Sequence, residues 1–184
     1  KIPQRNRLHQ FKTENQHKLN IFHQNVDRIN NKVDLLNHLL SSLKPDILVV
    51  TEHGQSEEKL SNTRLMNYNL IASYSRESNL KGGVAIYSAD ALDMEIESLN
   101  LDPLSLPLVC ELAAVMVSCP KRKNSLHILG TYLPPSNSVE KTSEAFDILS
   151  DALASFSDKH SPVVLVGDIN IDDFKTSRQK TEFN

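Results

Sequence analysis

Two short runs of consecutive aliphatic residues stand out, each placed behind a segment with helical spacing. The runs Ile47–Val50 and Val163–Val166 are uninterrupted and rich in β-branched residues, which is typical of strands buried on both faces. Before the first run, apolar residues recur every three or four positions, which predicts a helix from about Asn30 to Lys44. Ser138 is the predicted cap of a second helix, whose apolar face comprises Ala145, Phe146, Leu149, Ala152, Leu153 and Phe156.

The segments between and before these units predict further strands. The chain starts with a predicted strand, helix and strand, continues through a β-rich middle, and ends with a predicted helix and strand. This order predicts an α/β fold with at least two layers of sheet. Residues 1–18 follow neither period and are predicted to be a basic polar tail or linker. The further predicted strands are Leu19–Val26, Tyr68–Tyr74, Gly83–Tyr87, Leu92–Leu99 at a sheet edge, and a hairpin of Leu108–Ser118 with Ser125–Tyr132.

Composition narrows the function classes only a little. With 184 residues, 39% of them hydrophobic, the chain suits one globular domain, and no apolar stretch reaches the length of a membrane span. Two cysteines cannot form a disulfide framework, so an intracellular location, in the nucleus or cytoplasm, is expected without membrane attachment. The net charge of -3 gives no general attraction to nucleic acid, so DNA binding has to be argued from a local site.

Acidic and amide residues follow the two aliphatic runs. Glu52 comes after the first run, and Asp168 and Asn170 end the second. Ligand sites in α/β sheets lie beyond the carboxyl ends of strands, and alternation along a strand puts Asp168 and Asn170 on one side. Each carboxylate taken singly is equally well explained as a helix cap or a solvated loop residue. Oxygen ligands without a histidine or cysteine cluster favour Mg²⁺, with Mn²⁺ as the alternative, over zinc.

Five short blocks follow one another along the chain: Gln24–Val26, Pro45–His53, Gly82–Tyr87, Gly130–Pro135 and Val164–Asn170. In this order they resemble the endonuclease/exonuclease/phosphatase superfamily. The Thr-Glu-His and Tyr-Leu-Pro-Pro motifs are most similar to those of the endonuclease domains of non-LTR retrotransposons, which associate with a reverse transcriptase. The resemblance implies a four-layer α/β sandwich of two mixed sheets flanked by helices, and it implies DNA as the partner.

The same resemblance implies a role for each matching residue. Glu52 is expected to be the principal metal ligand, with Asn25 orienting the metal site and contributing to it. Tyr132 is expected to hydrogen-bond the scissile phosphate. Asp168 is expected to position or deprotonate the attacking water, and Asn170 to stabilise charge on the phosphoryl oxygens. These roles describe metal-assisted in-line hydrolysis of a phosphodiester.

One block of the superfamily has no match. The sequence contains no Ser-Asp-His, so residues 19–184 are expected to be a partial domain that is incomplete at its C-terminus. The function predicted first is a magnesium-dependent DNA endonuclease that nicks its target, with the activity of this chain left open. The alternatives are a non-catalytic remnant or binding module of the same fold, and a phosphatase or phosphodiesterase of a phosphate ester outside nucleic acids.

Other polar residues allow two interpretations each. His53 is expected to point away from Glu52 as a loop residue, and His23 is a weaker candidate for the rim of the site. Glu111 interrupts an apolar strand, so it either faces solvent or pairs with a site residue from behind. Arg76 and Lys81 either contact a nucleic-acid backbone or are ordinary solvated loop residues.

Overall fold

The computed structural model describes residues 18–78, 81–119, 124–136, 138–156 and 161–170. Within these residues, eight strands form two four-stranded sheets. Of the tail predicted at 1–18, residues 1–17 lie outside the described residues. The strands are β1 (Ile21–Asn25), β2 (Ile47–Thr51), β3 (Tyr68–Tyr74), β4 (Val84–Ala89), β5 (Glu95–Leu99), β6 (Glu111–Cys119), β7 (Asn124–Tyr132) and β8 (Val163–Asp168).

The first and last helices lie where the sequence predicts them, and a further short helix follows β2. The first helix starts two residues after the predicted Asn30–Asn31, because a single 3-10 turn takes up the chain before it. Lys44 ends that helix in the left-handed conformation just before Pro45. Ser138 caps the last helix as predicted, since its hydroxyl accepts the Lys141 N–H at 3.2 Å. The helices are α1 (Val33–Leu43), α2 (Glu57–Asn62) and α3 (Val139–Ser155), and the 3-10 turn is Ile29–Asn31.

Both sheets are mixed, and each contains one parallel pair joined by a helix. The first sheet has the order β1-β2-β4-β3, with β1 and β2 parallel and α1 between them in sequence. The second has the order β5-β6-β7-β8, with β7 and β8 parallel and α3 between them. Because the sheets pack with β8 against β1 and β2, the carboxyl ends of the parallel strands meet at one end of the sandwich.

Three apolar clusters fill the spaces between the layers. The central cluster lies between the two sheets, and the other two lie under α1 and α3, so the layer order is helix, sheet, sheet, helix. This arrangement confirms the four-layer α/β sandwich. Representative buried side chains are Val49, Ile86, Val115 and Ile128 between the sheets, Leu36, Leu40 and Tyr87 under α1, and Leu112, Leu129 and Leu149 under α3.

The prediction that Val163–Val166 is buried on both faces is wrong. Val163 and Leu165 are 37% and 43% exposed, whereas Val166 packs into the cluster between the sheets. Leu165 pairs with Leu129, which packs under α3, so the exposed residues lie on the helix side of the sheet. Among the described residues β8 is an end strand of its sheet, and α3 leaves that side of it uncovered.

No helix among the described residues is long and apolar enough to cross a membrane.

Candidate active site

Asn25 joins two carboxylates at the end of the sandwich where the parallel strands finish. Its side-chain nitrogen donates to Glu52 Oε1 at 2.7 Å and to Asp168 Oδ2 at 2.9 Å. The Asp27 backbone N–H donates to the Asn25 side-chain oxygen at 3.1 Å, which fixes the amide with its nitrogen toward the carboxylates. Three residues predicted for the site therefore converge on one point, although they lie at the ends of three different strands.

The backbone of Glu52 has an unusual conformation. Glu52 leaves β2 with a φ of 56°, in the left-handed region that side chains other than glycine rarely adopt. Two hydrogen bonds hold it there: its N–H donates to the Gly83 carbonyl at 2.9 Å, and its carbonyl accepts the Arg28 N–H at 2.8 Å. Residues held in such regions cost about 1–3 kcal/mol each and cluster at functional sites. The turn brings the Glu52 carboxylate to Asn25.

Tyr132 completes the cluster from the second sheet. Its side chain lies at the end of β7 and hydrogen-bonds the Glu52 carboxylate. Burial raises the pKa of the Tyr132 hydroxyl, and the charge of Glu52 with that hydrogen bond raises it further. The hydroxyl therefore stays protonated at neutral pH and acts as a hydrogen-bond donor in the site.

Asn170 lies beside the cluster and bonds to it through its backbone, whereas its side chain bonds outside the cluster. The chain turns after β8, so Asn170 has a φ of 48° and donates its side-chain amide to the Leu133 carbonyl at 2.9 Å. Its backbone N–H donates to Asp168 Oδ1 at 3.2 Å. The strand alternation used to align Asp168 with Asn170 therefore does not extend to Asn170, although both residues lie at the same end of the sheet.

His23 lies on the rim, two residues before Asn25 on β1. Its Nε2 is 3.1 Å from the Thr51 hydroxyl, and the charge of Asp168 acts on the ring. Partial burial lowers the pKa of His23, and Asp168 offsets part of that effect. The interpretation of His23 as a rim residue fits this position.

The donor set suits a hard divalent cation. Among the described residues, the ion pairs involve Arg28 with Asp27 and Arg76 with Glu111, so Glu52 and Asp168 have no cationic side chain as a partner. Two carboxylates that share one neutral amide attract a cation, and oxygen ligands suit magnesium or manganese. Across the described chain, no group of three or more His, Cys, Asp or Glu side chains is placed to hold a metal. One or two carboxylates, completed by water and substrate phosphate, is the usual magnesium arrangement.

His53 lies in the loop between β2 and α2, as expected, and its ring is buried in the core. The ring is fully buried, its Nε2 donates to the Tyr74 carbonyl at 2.9 Å, and its Nδ1 accepts the Gln55 N–H at 3.2 Å. Burial lowers the pKa of His53 to about 4, although the bond to Tyr74 opposes the shift. The ring packs on Gly83, where a Cβ atom would overlap it.

Glu111 and Arg76 form a buried ion pair behind the site, which corrects two expectations. Glu111 is 0% exposed and does not face solvent. Arg76 is 5% exposed, donates from Nε to Glu111 Oε1 at 2.5 Å and also pairs with it through Nη2. It is therefore neither a nucleic-acid contact nor a solvated residue. Lys81 is exposed. The sequence signal for this pair was the single acidic residue in an otherwise apolar strand.

Comparison with known proteins gives one family and one fold. The model of the Endonuclease/Exonuclease/phosphatase family matches residues 19–183. No curated protein matches the sequence. Among solved structures, the catalytic domain of Xenopus laevis APE2 superposes with a TM-score of 0.62 and 19% identity, covering 89% of this chain and 64% of that chain.

Two further structures show the range of proteins with this fold. D. rerio TDP2 complexed with a single-strand DNA product has a TM-score of 0.60 and 16% identity, covering 84% of this chain and 62% of that chain. The Bacteroides thetaiotaomicron mannosyl-6-phosphatase has a TM-score of 0.58 and 14% identity, covering 90% and 70%. At these identities the likeness concerns the fold alone. The chain spans less than two thirds of the APE2 and TDP2 structures.

Proposed function

The chain belongs to the endonuclease/exonuclease/phosphatase family, and we propose that its site hydrolyses phosphodiester bonds in DNA with a divalent metal ion. The observation that carries this proposal is the pair of carboxylates, Glu52 and Asp168, bonded to one Asn25 amide at the carboxyl ends of three strands. Among the described residues, the cluster offers carboxylate oxygens without a cationic side chain beside them, which suits a bound divalent cation.

Each residue of the cluster has a proposed role that follows from its position. Glu52 holds the metal ion, with Asn25 orienting the Glu52 carboxylate and contributing to the metal site. A bound ion of this kind neutralises phosphate charge and stabilises the leaving oxygen. Tyr132 keeps its proton, and its single O–H turns from Glu52 to the scissile phosphate when substrate binds.

Two further residues act on the water and on the developing charge. Asp168 positions or deprotonates the attacking water from its place beside Asn25, whose amide also bonds Glu52. Asn170 donates an amide hydrogen to the phosphoryl oxygens as negative charge builds on them. Its amide nitrogen already donates one hydrogen to Leu133, and the second hydrogen is available for the substrate.

DNA is the proposed substrate class, and the endonuclease domains of non-LTR retrotransposons are the proposed subgroup. The Thr51-Glu52-His53 and Tyr132–Pro135 blocks support the subgroup by resemblance. The TDP2 structure of the same fold was obtained with a DNA product, which supports nucleic acid as a substrate for this architecture. The proposed reaction opens one strand of a duplex and leaves a 3′-hydroxyl from which reverse transcription can start.

Nicking of supercoiled plasmid by the purified chain tests the proposal. We expect relaxed circles with Mg²⁺ or Mn²⁺, none with EDTA, and a loss of about 10²-fold or more when Glu52→Ala removes the principal ligand. Glu58→Ala is the matched control, because Glu58 is an exposed glutamate on α2 that takes no part in the cluster. The control variant should nick as the unmodified chain does.

Two outcomes count against the nuclease proposal. The first is a chain that circular dichroism shows to be folded but that leaves plasmid intact with either metal. The second is hydrolysis of a sugar phosphate that depends on Glu52 while plasmid stays supercoiled, which would assign the site to a phosphatase.

A further inference from the structure

The buried Glu111 carboxylate holds three separate segments together behind the site. Its Oε2 accepts the Gly83 N–H at 2.6 Å, and its Oε1 accepts the Arg76 Nε at 2.5 Å and the Leu108 N–H at 3.3 Å. Glu111 starts β6 and pairs in register with Tyr132 at the end of β7. One carboxylate therefore links the second sheet to two turns of the first sheet and to the loop before β6.

The turn that Glu111 holds is the turn that supports Glu52. Gly83 donates its N–H to Glu111 and accepts the Glu52 N–H with its carbonyl at 2.9 Å. The neighbouring Gly82 accepts the Gly54 N–H at 2.9 Å, so the residues on both sides of His53 are bonded to this turn. The two glycines have φ values of 106° and 89°, and a Cβ on Gly82 would overlap the Arg76 guanidinium.

We propose that Arg76 and Glu111 are positioning residues for the metal ligand Glu52, acting through the Gly82–Gly83 turn. Arg76 lies against Gly82 and neutralises Glu111, and Glu111 fixes Gly83, whose carbonyl holds Glu52 in its left-handed conformation. Neither side chain touches the cluster of Asn25, Glu52 and Asp168. This inference rests on the proposed function, because it treats Glu52 as the metal ligand.

The chemistry of the pair favours positioning over simple stabilisation. Two charges buried in a protein interior lose their hydration, and replacing such a pair with apolar residues is often neutral or stabilising. A buried pair is therefore a poor source of stability, whereas its directed hydrogen bonds fix the turn that no apolar side chain could hold. Groups that orient metal ligands commonly change metal affinity or activity by about 10–100-fold when they are replaced.

The double variant Arg76→Met with Glu111→Leu tests the proposal, because it removes both charges at once and leaves no unpaired ion. The first measurement is amide hydrogen exchange by NMR, which does not depend on catalysis. We expect the Glu52 and Gly54 amides to exchange about 10-fold faster, with Val49 in the middle of β2 unchanged. Arg64→Met with Glu97→Leu, an exposed arginine and an exposed glutamate, is the matched control and should leave all three amides unchanged.

The second measurement is Mn²⁺ affinity, followed by electron paramagnetic resonance, together with plasmid nicking. In the double variant we expect Mn²⁺ to bind about 10-fold more weakly and kcat to fall by a similar factor, with KM for DNA within about 2-fold. If the unmodified chain neither binds Mn²⁺ nor nicks DNA, the proposed function fails, while hydrogen exchange still tests the positioning.

Unchanged exchange of Glu52 and Gly54 in the folded double variant overturns the positioning role. If the double variant does not fold, Arg76→Lys takes its place, since lysine keeps the charge but cannot form the same planar pair. Faster exchange at Glu52 and Gly54 in that variant supports the proposal, and unchanged exchange overturns it.

Discussion

The side-chain nitrogen of Asn25 lies 2.9 Å from the carboxylate of Asp168, although 143 residues separate them in the sequence. The same nitrogen also bonds Glu52, which is 27 residues away. Asn25 is the last residue of β1 in one sheet, and Asp168 is the last residue of β8 in the other. This contact therefore requires both sheets to be packed, and it makes the geometry of the site sensitive to single substitutions in the cluster.

Replacing Asn25 with aspartate should make the stability of the fold depend on a cation. Asn25→Asp loses the two donated hydrogen bonds and puts a third carboxylate beside Glu52 and Asp168, so we expect a loss of about 1–3 kcal/mol in EDTA. Mg²⁺ should recover most of that loss and raise Tm more than in the unmodified chain. Thermal unfolding with and without Mg²⁺ checks this, with Asn37→Asp as a control distant from the site. An equal Mg²⁺ effect in all three proteins would contradict the prediction.

Removing the Tyr132 hydroxyl should impair catalysis more than folding. Tyr132→Phe keeps the buried ring but loses the donor to Glu52 and, under the proposed function, to the scissile phosphate. We expect kcat for nicking to fall about 10–100-fold and the free energy of unfolding to fall by about 1 kcal/mol. Tyr68→Phe is the control, because its hydroxyl bonds the Pro45 carbonyl at 2.7 Å, away from the site. Equal nicking by both variants would remove Tyr132 from the reaction.

A side chain at Gly83 should destabilise the fold through its overlap with His53. Gly83 has a φ of 89°, and an added Cβ would overlap the buried ring. We expect Gly83→Ala to cost about 2–4 kcal/mol, from backbone strain and overpacking together. Urea unfolding of Gly83→Ala, His53→Ala and the double variant measures the coupling. The double variant should lose less free energy of unfolding than the sum of the two single losses. A loss equal to that sum would mean that the His53 ring is not the obstacle.

The Cys110 thiol should be almost unreactive in the folded chain. Burial raises its pKa to about 12, with the charge of Glu111 adding to the shift and a hydrogen bond with Thr131 opposing it. In a Cys119→Ser background, we expect iodoacetamide at pH 8 to react about 10³-fold more slowly with the folded chain than with the urea-unfolded chain. Comparable rates in the two states would show that the thiol is accessible.

The same shift in the Cys110 pKa has a consequence for stability. The unfolded thiol ionises near its ordinary pKa, whereas the folded thiol stays protonated up to about 12. The contribution of the protonated Cys110 thiol to the free energy of unfolding is therefore fully present below the unfolded pKa. It is lost as the pH rises from that value through about 12. Between these pH values, the free energy of unfolding of Cys110→Ala should fall less than that of the chain that retains the thiol.

The amino-acid sequence by itself determined where the eight described strands and the helices α1 and α3 lie. Periodicity locates α1 and α3, and the Ile47–Val50 run is buried throughout as a central strand should be. These features depend on local spacing and on the tendency of apolar groups to leave water, so they can be seen in one segment at a time. The candidate residues Glu52 and Asp168 were also identifiable, because strand ends carry ligand sites in α/β sheets, whereas Asn25 was identified by the resemblance to the superfamily.

Only the tertiary structure decided how those residues meet and what supports them. Asn170 turns to Leu133 because the chain leaves β8 in a left-handed conformation, which strand alternation cannot foresee. The partner of Glu111 is 35 residues away, and nothing in either segment specifies the other. Val163 and Leu165 form an apolar run like that of β2, but their exposure depends on which strands and helices lie beside them. Which residues pair and which are buried depends on how the layers pack. A sequence pattern shows only the tendency of each residue to be paired or buried.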